Sequence, residues 1–317
     1  MSASAYLIEP QDDLTLPFQV DALDLRGRVV RLGPAIDTML SQHDYPEPVA
    51  TMLGELVVAT TLLAGALKFD GILTAQIKSD GPIRLIVVDF KTPGHLRAYA
   101  RFDDVEVTNA FAVAARYGNP VQCFLGRGNL AITVDQGPDT ERYQGLVELI
   151  GKTLVDCVHH YLKQSEQHNA LMRIAVKPPD TAAADRGWRA GGLMVQHMPG
   201  LLAGRLQEER IQDEHLDLWN RAEVLASSAR QDELVDPELG PDALLWRLFH
   251  LDGVRVFNPA TLKTKCRCSR DRIVGVLSSF PVAELESMRV DERIDVTCEF
   301  CNRKYDFTLV EITTHAS

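Results

Sequence analysis

The stretches KCRCSR (265–270) and TCEFC (297–301) hold four of the chain's six cysteines in two close pairs. The four residues are Cys266, Cys268, Cys298 and Cys301. Thiolate sulfur is a soft metal ligand, and four cysteines around one ion form the usual structural zinc site. Because each pair supplies one edge of a tetrahedron, this spacing predicts one zinc ion per chain, bound by all four cysteines.

Whether these cysteines are metal ligands, redox centres or permanent disulfides depends on the redox state of the cellular compartment. The start of the chain, MSASAYLIEPQDD, lacks the basic and apolar pattern of a signal peptide. The most apolar run, LVVATTLLAGAL (56–67), is too short to span a bilayer and predicts a buried core helix. We therefore expect a cytoplasmic protein with no membrane partner, where thiols stay reduced. This setting favours metal ligands or redox centres over permanent disulfides, and two pairs of free thiols are the alternative.

The charge of the chain argues against nucleic acid as a partner. The formal net charge is −11, whereas binding to phosphate backbones depends on lysine and arginine. Most of the excess negative charge lies between Gln207 and Asp242, where eleven acidic residues and three arginines give a net charge of −8. From Asn258 onward, nine basic residues balance nine acidic ones, so no basic face is expected beside the cysteines.

Residues 1–200 read as an α+β core domain. LTAQIKS (73–79) and IRLIVVDF (83–90) predict a hairpin around the turn SDGP, and LRAYARF (96–102) predicts a further strand. Residues 48–68 predict a long apolar helix. Residues 147–164 predict a second helix with one apolar face, formed by Ile150, Leu154, Val158, Tyr161 and Leu162.

Residues 201–257 read as an acidic helical linker. The narrow apolar stripes of this segment need a partner surface, because isolated helices of such length are marginal in water. A surface helical hairpin and a conditionally folded, metastable linker are both compatible with the pattern. As candidate client-binding residues on these stripes we identify Leu218, Leu225, Leu245 and Phe249.

Residues 258–317 read as a small zinc-binding redox-switch domain. In the chain-entropy account, two disulfides that close loops of three or four residues stabilise by only about 3.5 kcal/mol together. A structural zinc contributes an apparent ~10–16 kcal/mol at neutral pH. Exchanging the metal for Cys266–Cys268 and Cys298–Cys301 disulfides is therefore compatible with unfolding of the domain, and the spacing permits a redox switch.

Several motifs along the chain resemble those of one family in the same order. They are IKSDGPIRL (77–85), YLKQSEQ (161–167), AGGLMVQHMPG (190–200), LLWRLFH (244–250) and KCRCSRDR (265–272). With the cysteine tetrad, they resemble the bacterial redox-regulated holdase chaperone, the thirty-three-kilodalton heat-shock protein family, over nearly the whole chain.

The resemblance implies a function and a set of partners. It implies an ATP-independent holdase, not an enzyme, that is inactive while zinc-bound and keeps unfolding client proteins soluble after oxidation. It also implies a homodimer in the active form, the four cysteines as zinc ligands and redox sensors, and earlier oxidation of Cys298 and Cys301, followed by unfolding of the linker.

Other residues were weighed against this interpretation. Cys123 and Cys157 lie outside the tetrad, and the acidic segment is longer than the linker we would expect. Cys157 stands near His160 on its predicted helix, which suggests a nucleophile, although a lone helical cysteine is more often buried and inert. GLVELIGKT (145–153) lacks the spacing of a phosphate-binding loop.

Two other functions remain compatible with the cysteine pattern. The first is a zinc-ribbon regulator or RNA-associated protein in which the metal is purely structural. The second is an oxidoreductase that uses the C-x-x-C pair, although that pair lies outside a thioredoxin-like context.

Overall fold

The structure is a computed structural model that describes residues 12–137, 140–165, 169–180, 187–198 and 208–314. The chain divides into two compact units, Met1–Thr264 and Lys265–Ser317. Helices and strands are mixed in both units, which confirms the mixed fold class. The division of the first unit into core domain and linker stays a prediction.

The strands of the first unit are β1 (Leu14–Val20), β2 (Leu25–Leu32), β3 (Ile72–Ser79), β4 (Ile83–Lys91), β5 (His95–Phe102), β6 (Gly128–Asp135), β7 (Tyr143–Glu148), β8 (Ala170–Lys177), β9 (Arg189–His197), β10 (Val254–Val256), β11 (Ala260–Thr261) and β12 (Lys263–Thr264). The second unit contains β13 (Arg293–Thr297) and β14 (Lys304–Thr308).

The helices of the first unit are α1 (Pro34–Ser41), α2 (Glu47–Ala66), α3 (Asp104–Tyr117), α4 (Leu154–Ser165), α5 (Glu208–Ser227), α6 (Gln231–Val235) and α7 (Pro241–Phe249), with a π-helical turn at Val121–Leu125. The second unit contains α8 (Arg270–Leu277), α9 (Val282–Ser287) and α10 (Leu309–Thr314).

Two sheets build the first unit. The first sheet has the order β10-β1-β2-β9-β8, with β11 paired to β1, and the second has the order β12-β5-β4-β3-β6-β7. Apart from the parallel pair of β12 and β5, all of these pairings are antiparallel. The hairpin expected from residues 73–90 is therefore present as β3 and β4.

Helix α2 lies between the two sheets. Its side chains share one hydrophobic core with residues of the second sheet and with the inward-facing residues of the first. A helix that is covered on all sides needs apolar residues all round, which explains why its sequence shows little helical periodicity. It is also long and apolar enough to cross a membrane, but 78% of its most apolar window is buried in the protein. The expected buried core helix is thus present.

The opposite face of the first sheet is covered by α5, α6 and α7, which we call the linker helices. Successive side chains on a strand point to opposite faces, so β9 serves two cores: Met194 faces α2, whereas Leu193 and Val195 face the linker helices. The linker helices and the connection between α5 and α6 contribute buried apolar side chains to this second core, namely Trp219, Ala222, Ala226, Ala229, Leu234, Val235, Leu244, Leu245, Leu248 and Phe249. Burying each large one stabilises the packed state by roughly 1.5–3 kcal/mol.

A buried arginine of the first sheet binds the end of α6. The Arg31 guanidinium, 1% exposed, donates hydrogen bonds to the carbonyl oxygens of Leu234 at 2.9 Å and Asp236 at 2.7 Å. It also bonds the carbonyls of Glu233 and Leu239. The last carbonyls of a helix have no partner within the helix and carry partial negative charge. Arg31 thus caps a five-residue helix that would not persist alone.

A second arginine reinforces the contact between α6 and the first sheet, and a glycine permits it. Arg189 donates to the carbonyl of Val235 at 2.9 Å and forms an ion pair with Asp12. Next to it, Gly191 lets the backbone of α6 approach β9 closely. A Cβ atom at position 191 would lie 1.9 Å from the carbonyl oxygen of Leu234, a distance at which the backbone must move.

Three sequence expectations differ from the structure in detail. The helix predicted over 147–164 begins only at Leu154, because Val147 lies in β7, and Ile150 is 51% exposed in the loop between the two. The segment up to residue 257 is not helical throughout, since β10 pairs with β1. Residues 258–264, assigned above to the zinc domain, include β11 and β12, which pair with strands of the first unit.

Replacing Gly191 with alanine tests the close packing of α6. We expect Gly191→Ala to lower the free energy of unfolding by about 2 kcal/mol, because the added methyl group collides with backbone rather than with a movable side chain. Urea unfolding followed by tryptophan fluorescence measures the change. The matched control is Gly275→Ala in α8, where the new Cβ meets nothing within 4 Å and should be neutral or slightly stabilising. Equal stability of the two variants would contradict the packing described.

Candidate metal and redox centre

Two tight turns of the second unit position the four cysteines. Cys266 and Cys268 directly precede α8, whose N-cap Ser269 accepts a hydrogen bond from the backbone N–H of Arg272. Cys298 and Cys301 lie in the turn between β13 and β14. There the N–H of Asn302 donates to the carbonyl of Cys298, and the left-handed conformation of Asn302 closes the turn. We call the four residues the cysteine cluster.

The geometry of the cysteine cluster fits a tetrahedral zinc site. All four Sγ atoms lie within 4.8 Å of one another. Two of the separations are 3.7 Å between the Sγ atoms of Cys266 and Cys298 and 3.4 Å between those of Cys268 and Cys301. Four sulfurs at about 2.3 Å from a zinc ion would lie roughly 3.8 Å apart. The expected ligand set is therefore brought together in space and could hold a metal ion, consistent with zinc.

Hydrogen bonds within the cluster favour a thiolate at one position. Burial raises the pKa of Cys266, but hydrogen bonds from Cys268 and the other cluster thiols outweigh it and lower the pKa to about 7. Burial, together with the neighbouring thiols, raises the pKa of Cys301 above its ordinary value. The Tyr305 hydroxyl donates to the Sγ of Cys268 at 3.2 Å. A thiolate at Cys266 is both a metal ligand and the form that oxidants attack.

The apolar core of the second unit is small. Its buried side chains are Val274, Leu277, Leu285, Ile294, Phe307 and Ile312. A core of this size supplies little stability, and natural domains of similar size usually depend on metals or disulfides. The cysteine cluster is therefore expected to contribute much of the stability of this unit.

The two remaining cysteines belong to the first unit and do not form a comparable site. Cys157 is fully buried, and burial raises its pKa to about 11, which makes it a poor nucleophile. His159 accepts a hydrogen bond from the backbone N–H of Met172, and His160 bonds Gln164. These contacts do not support a Cys–His nucleophile. Cys123 is partly buried at the edge of the core.

The candidate client-binding residues belong to the linker helices and pack against the first sheet in this structure. Leu245 and Phe249 are fully buried, and Phe249 stacks on Phe18 of the first sheet with ring centroids 5.7 Å apart. Leu218 and Leu225 are partly buried against the same core. Sequence reasoning missed Trp219 and Ala226 on this face. It also missed the role of Arg31, because β2 carries three arginines, Arg26, Arg28 and Arg31, and its sequence does not distinguish the buried one.

Comparison with known proteins identifies the family. The family model described as Hsp33 protein matches residues 13–308. The chain belongs to the Hsp33 family. Among relatives, the 33 kDa chaperonin of Caulobacter vibrioides (strain NA1000 / CB15N) is 44% identical over 296 residues, covering 93% of this chain and 94% of that protein. The 33 kDa chaperonin of Pseudomonas fluorescens (strain SBW25) is 34% identical over 305 residues, covering 96% and 93%.

A solved structure shares the Hsp33 fold. The 33 kDa chaperonin (heat shock protein 33 homolog) of Thermotoga maritima matches with a TM-score of 0.73 and 22% sequence identity. The match covers 96% of this chain and 98% of that chain. The resemblance stated from the motifs is therefore confirmed at the level of family.

Removing one ligand tests the metal assignment. We expect Cys298→Ser to weaken zinc binding by at least about 100-fold, because changes outside the ligand shell alone already cost 10–100-fold. Competition with a chromophoric zinc chelator measures the affinity. Cys123→Ser is the matched control, since it removes a thiol of the first unit, and it should bind zinc as the unmodified chain does. Unchanged affinity in Cys298→Ser would refute the assignment.

Proposed function

We propose that this chain is an ATP-independent holdase chaperone that oxidation of the cysteine cluster activates. Membership of the Hsp33 family and relatives named 33 kDa chaperonin support a chaperone role. The observation that carries the redox part of the proposal is the convergence of four Sγ atoms within 4.8 Å. No enzymatic reaction is proposed. The expected setting is the cytoplasm, and the expected partners are unfolding client proteins.

In the reduced form, Cys266, Cys268, Cys298 and Cys301 would hold one zinc ion as thiolates. A bound zinc ion would tie the C-x-C and C-x-x-C segments together and would add to the stability that the small apolar core supplies. The inactive state is therefore the one in which the second unit is folded.

Oxidation by peroxide removes these ligands in balanced steps. Peroxide transfers one oxygen to a cluster thiolate, which gives a sulfenic acid and releases hydroxide. A neighbouring thiol then attacks the sulfenic sulfur, forms the S–S bond and expels water, so each disulfide consumes one peroxide. We propose that the pairs formed are Cys266–Cys268 and Cys298–Cys301, because residues so close in sequence remain close after the unit loosens.

Loss of the folded second unit would free the linker helices. The chain leaving α7 runs through β10, β11 and β12 directly to Lys265, so the end of the linker continues into the cysteine-bearing unit. The linker carries a net charge of −8 between residues 207 and 242 and depends on its contacts with the first sheet. Its release would expose apolar area that includes Leu218, Leu225, Leu245 and Phe249. Dimerisation of the active form is part of the same proposal.

A purely structural zinc in a regulator that binds RNA is the second candidate. The equal numbers of basic and acidic residues from Asn258 onward disfavour it, because phosphate binding needs a positive surface. The chaperone proposal is therefore preferred.

Aggregation of a thermally unfolding client protein, followed by light scattering without ATP, tests the function. We expect the reduced, zinc-loaded chain to leave aggregation unchanged and the peroxide-treated chain to suppress it at near-equimolar ratio. Reductant with zinc should reverse the effect. Cys123→Ser should switch as the unmodified chain does, whereas a chain with all four cluster cysteines replaced should no longer respond to peroxide. Equal protection before and after oxidation would contradict the redox gate, and no protection in either state would contradict the chaperone role.

A further inference from the structure

A small cavity of the first unit lies between α2, α3 and the π-helical turn 121–125. Its volume is about 250 Å³. Met52 and Phe124, both buried, form apolar walls, and Phe111 of α3, 53% exposed, lies at the side open to solvent. Neither the cysteine cluster nor the linker helices contribute to its lining. The cavity is thus separate from the switch described above.

The lining is mixed: beside its apolar residues it contains two threonines, Thr51 and Thr153, and two carboxyl groups, of which that of Glu55 lies on the inner wall. Glu55 is in the middle of α2, the most apolar helix of the chain, and is partly buried. In the described part of the chain it makes no side-chain hydrogen bond or ion pair. Burial raises its pKa to about 7, and no nearby charge contributes to that change. A carboxyl group kept in such surroundings costs stability, so its presence calls for a compensating partner.

The surroundings of Glu55 restrict the chemistry of that partner. Glu47, exposed at the start of α2, is the other titratable group among the lining residues, and α3 and the π-helical turn contribute only apolar ones. Two carboxylates and no base disfavour an anionic ligand. A cation on a short apolar stem fits best, because the stem would contact Met52 and Phe124 while the charge meets Glu55. The volume suits one side chain better than a drug-sized molecule.

One residue of the helix beside the cavity is open to solvent on the lining side. Phe111, 53% exposed, shares a face of α3 with Ala114, which also lines the cavity. The Phe111 ring would contact the apolar neighbours of a side chain inserted into the cavity. An apolar segment with one cationic residue therefore matches both the interior and the rim of the cavity.

We propose that this cavity binds the lysine side chain of an apolar client segment, with the ammonium group paired to Glu55 and the stem between Met52, Phe111 and Phe124. Lysine is preferred over arginine because a compact charge on a flexible stem suits a narrow cavity with Glu55 at its inner wall and the second carboxyl group, that of Glu47, at the exposed rim. The identity of the segment as a client rests on the proposed chaperone function, whereas the amine site itself does not.

The test uses n-butylamine, which matches the lysine side chain, on the full chain labelled with ¹³C at glutamate carboxyl groups. The carboxyl signal of Glu55 is assigned by its loss in Glu55→Gln. Its chemical shift should titrate with a midpoint near pH 7, and that midpoint should fall to lower pH when butylamine is added. Because only the ionised carboxylate pairs with the amine, binding should be about 30-fold weaker at pH 5.5 than at pH 8. Glu55→Gln should lose binding, and Glu47→Gln, the matched control at the rim, should change it less than twofold.

Control ligands test whether the charge, the type of cation and the surrounding segment matter for binding. n-Butanol has the same stem without the charge, so a response equal to that of butylamine would overturn the proposal, as would unchanged binding in Glu55→Gln. Equal binding of N-butylguanidine would overturn the preference for lysine. An acetylated apolar pentapeptide with a central lysine should compete with butylamine, and its norleucine counterpart should not. If butylamine binds while client aggregation is not suppressed, the chaperone function fails and the amine site stands.

Discussion

The second unit depends on four sulfur atoms that lie within 4.8 Å of one another. Its apolar core is too small to be a strong source of stability, and its two cysteine turns are otherwise joined through short strands and helices. Four thiols at that distance are either bound to a metal or oxidised with ease, since each has a partner within reach. In the proposed mechanism, the same atoms would stabilise the unit when they bind the metal and would allow it to unfold when they are oxidised.

A different constraint acts on the linker helices. They are held on the first sheet by a large apolar core and by hydrogen bonds from two buried arginines to the carbonyl end of α6. A buried guanidinium is tolerated only while its N–H groups have hydrogen-bond acceptors. Arg31 therefore strongly favours the docked linker, because undocking would remove the carbonyl oxygens that accept its hydrogen bonds. In the proposed activation, this arrangement would make release of the linker cooperative. Water would have to solvate Arg31 when the apolar face becomes exposed.

Local patterns predicted what depends on local geometry. The cysteine spacing predicted which four cysteines would come together, because the members of each pair are separated by only one or two residues. Strands β3 and β4 followed from alternation around a tight turn. The helix over 147–164 was placed too early because Val147, Ile150 and Leu154 have helical spacing by coincidence, although they belong to a strand, a loop and a helix. The contact between Arg31 and Leu234 joins residues 203 positions apart, and nothing near Arg31 identifies its acceptors. Glu55 likewise became informative only when its apolar surroundings were known.

Hydrogen exchange at the backbone amides of residues 231–249, measured by mass spectrometry on the full chain, most directly tests whether oxidation of the cysteine cluster releases the linker helices. Samples are taken along a peroxide time course, and zinc release and client protection are measured in parallel. The account predicts slow exchange in the reduced, zinc-loaded chain and fast exchange that rises together with zinc release and client protection. Amides that stay protected in a fully oxidised, zinc-free and active sample would contradict it.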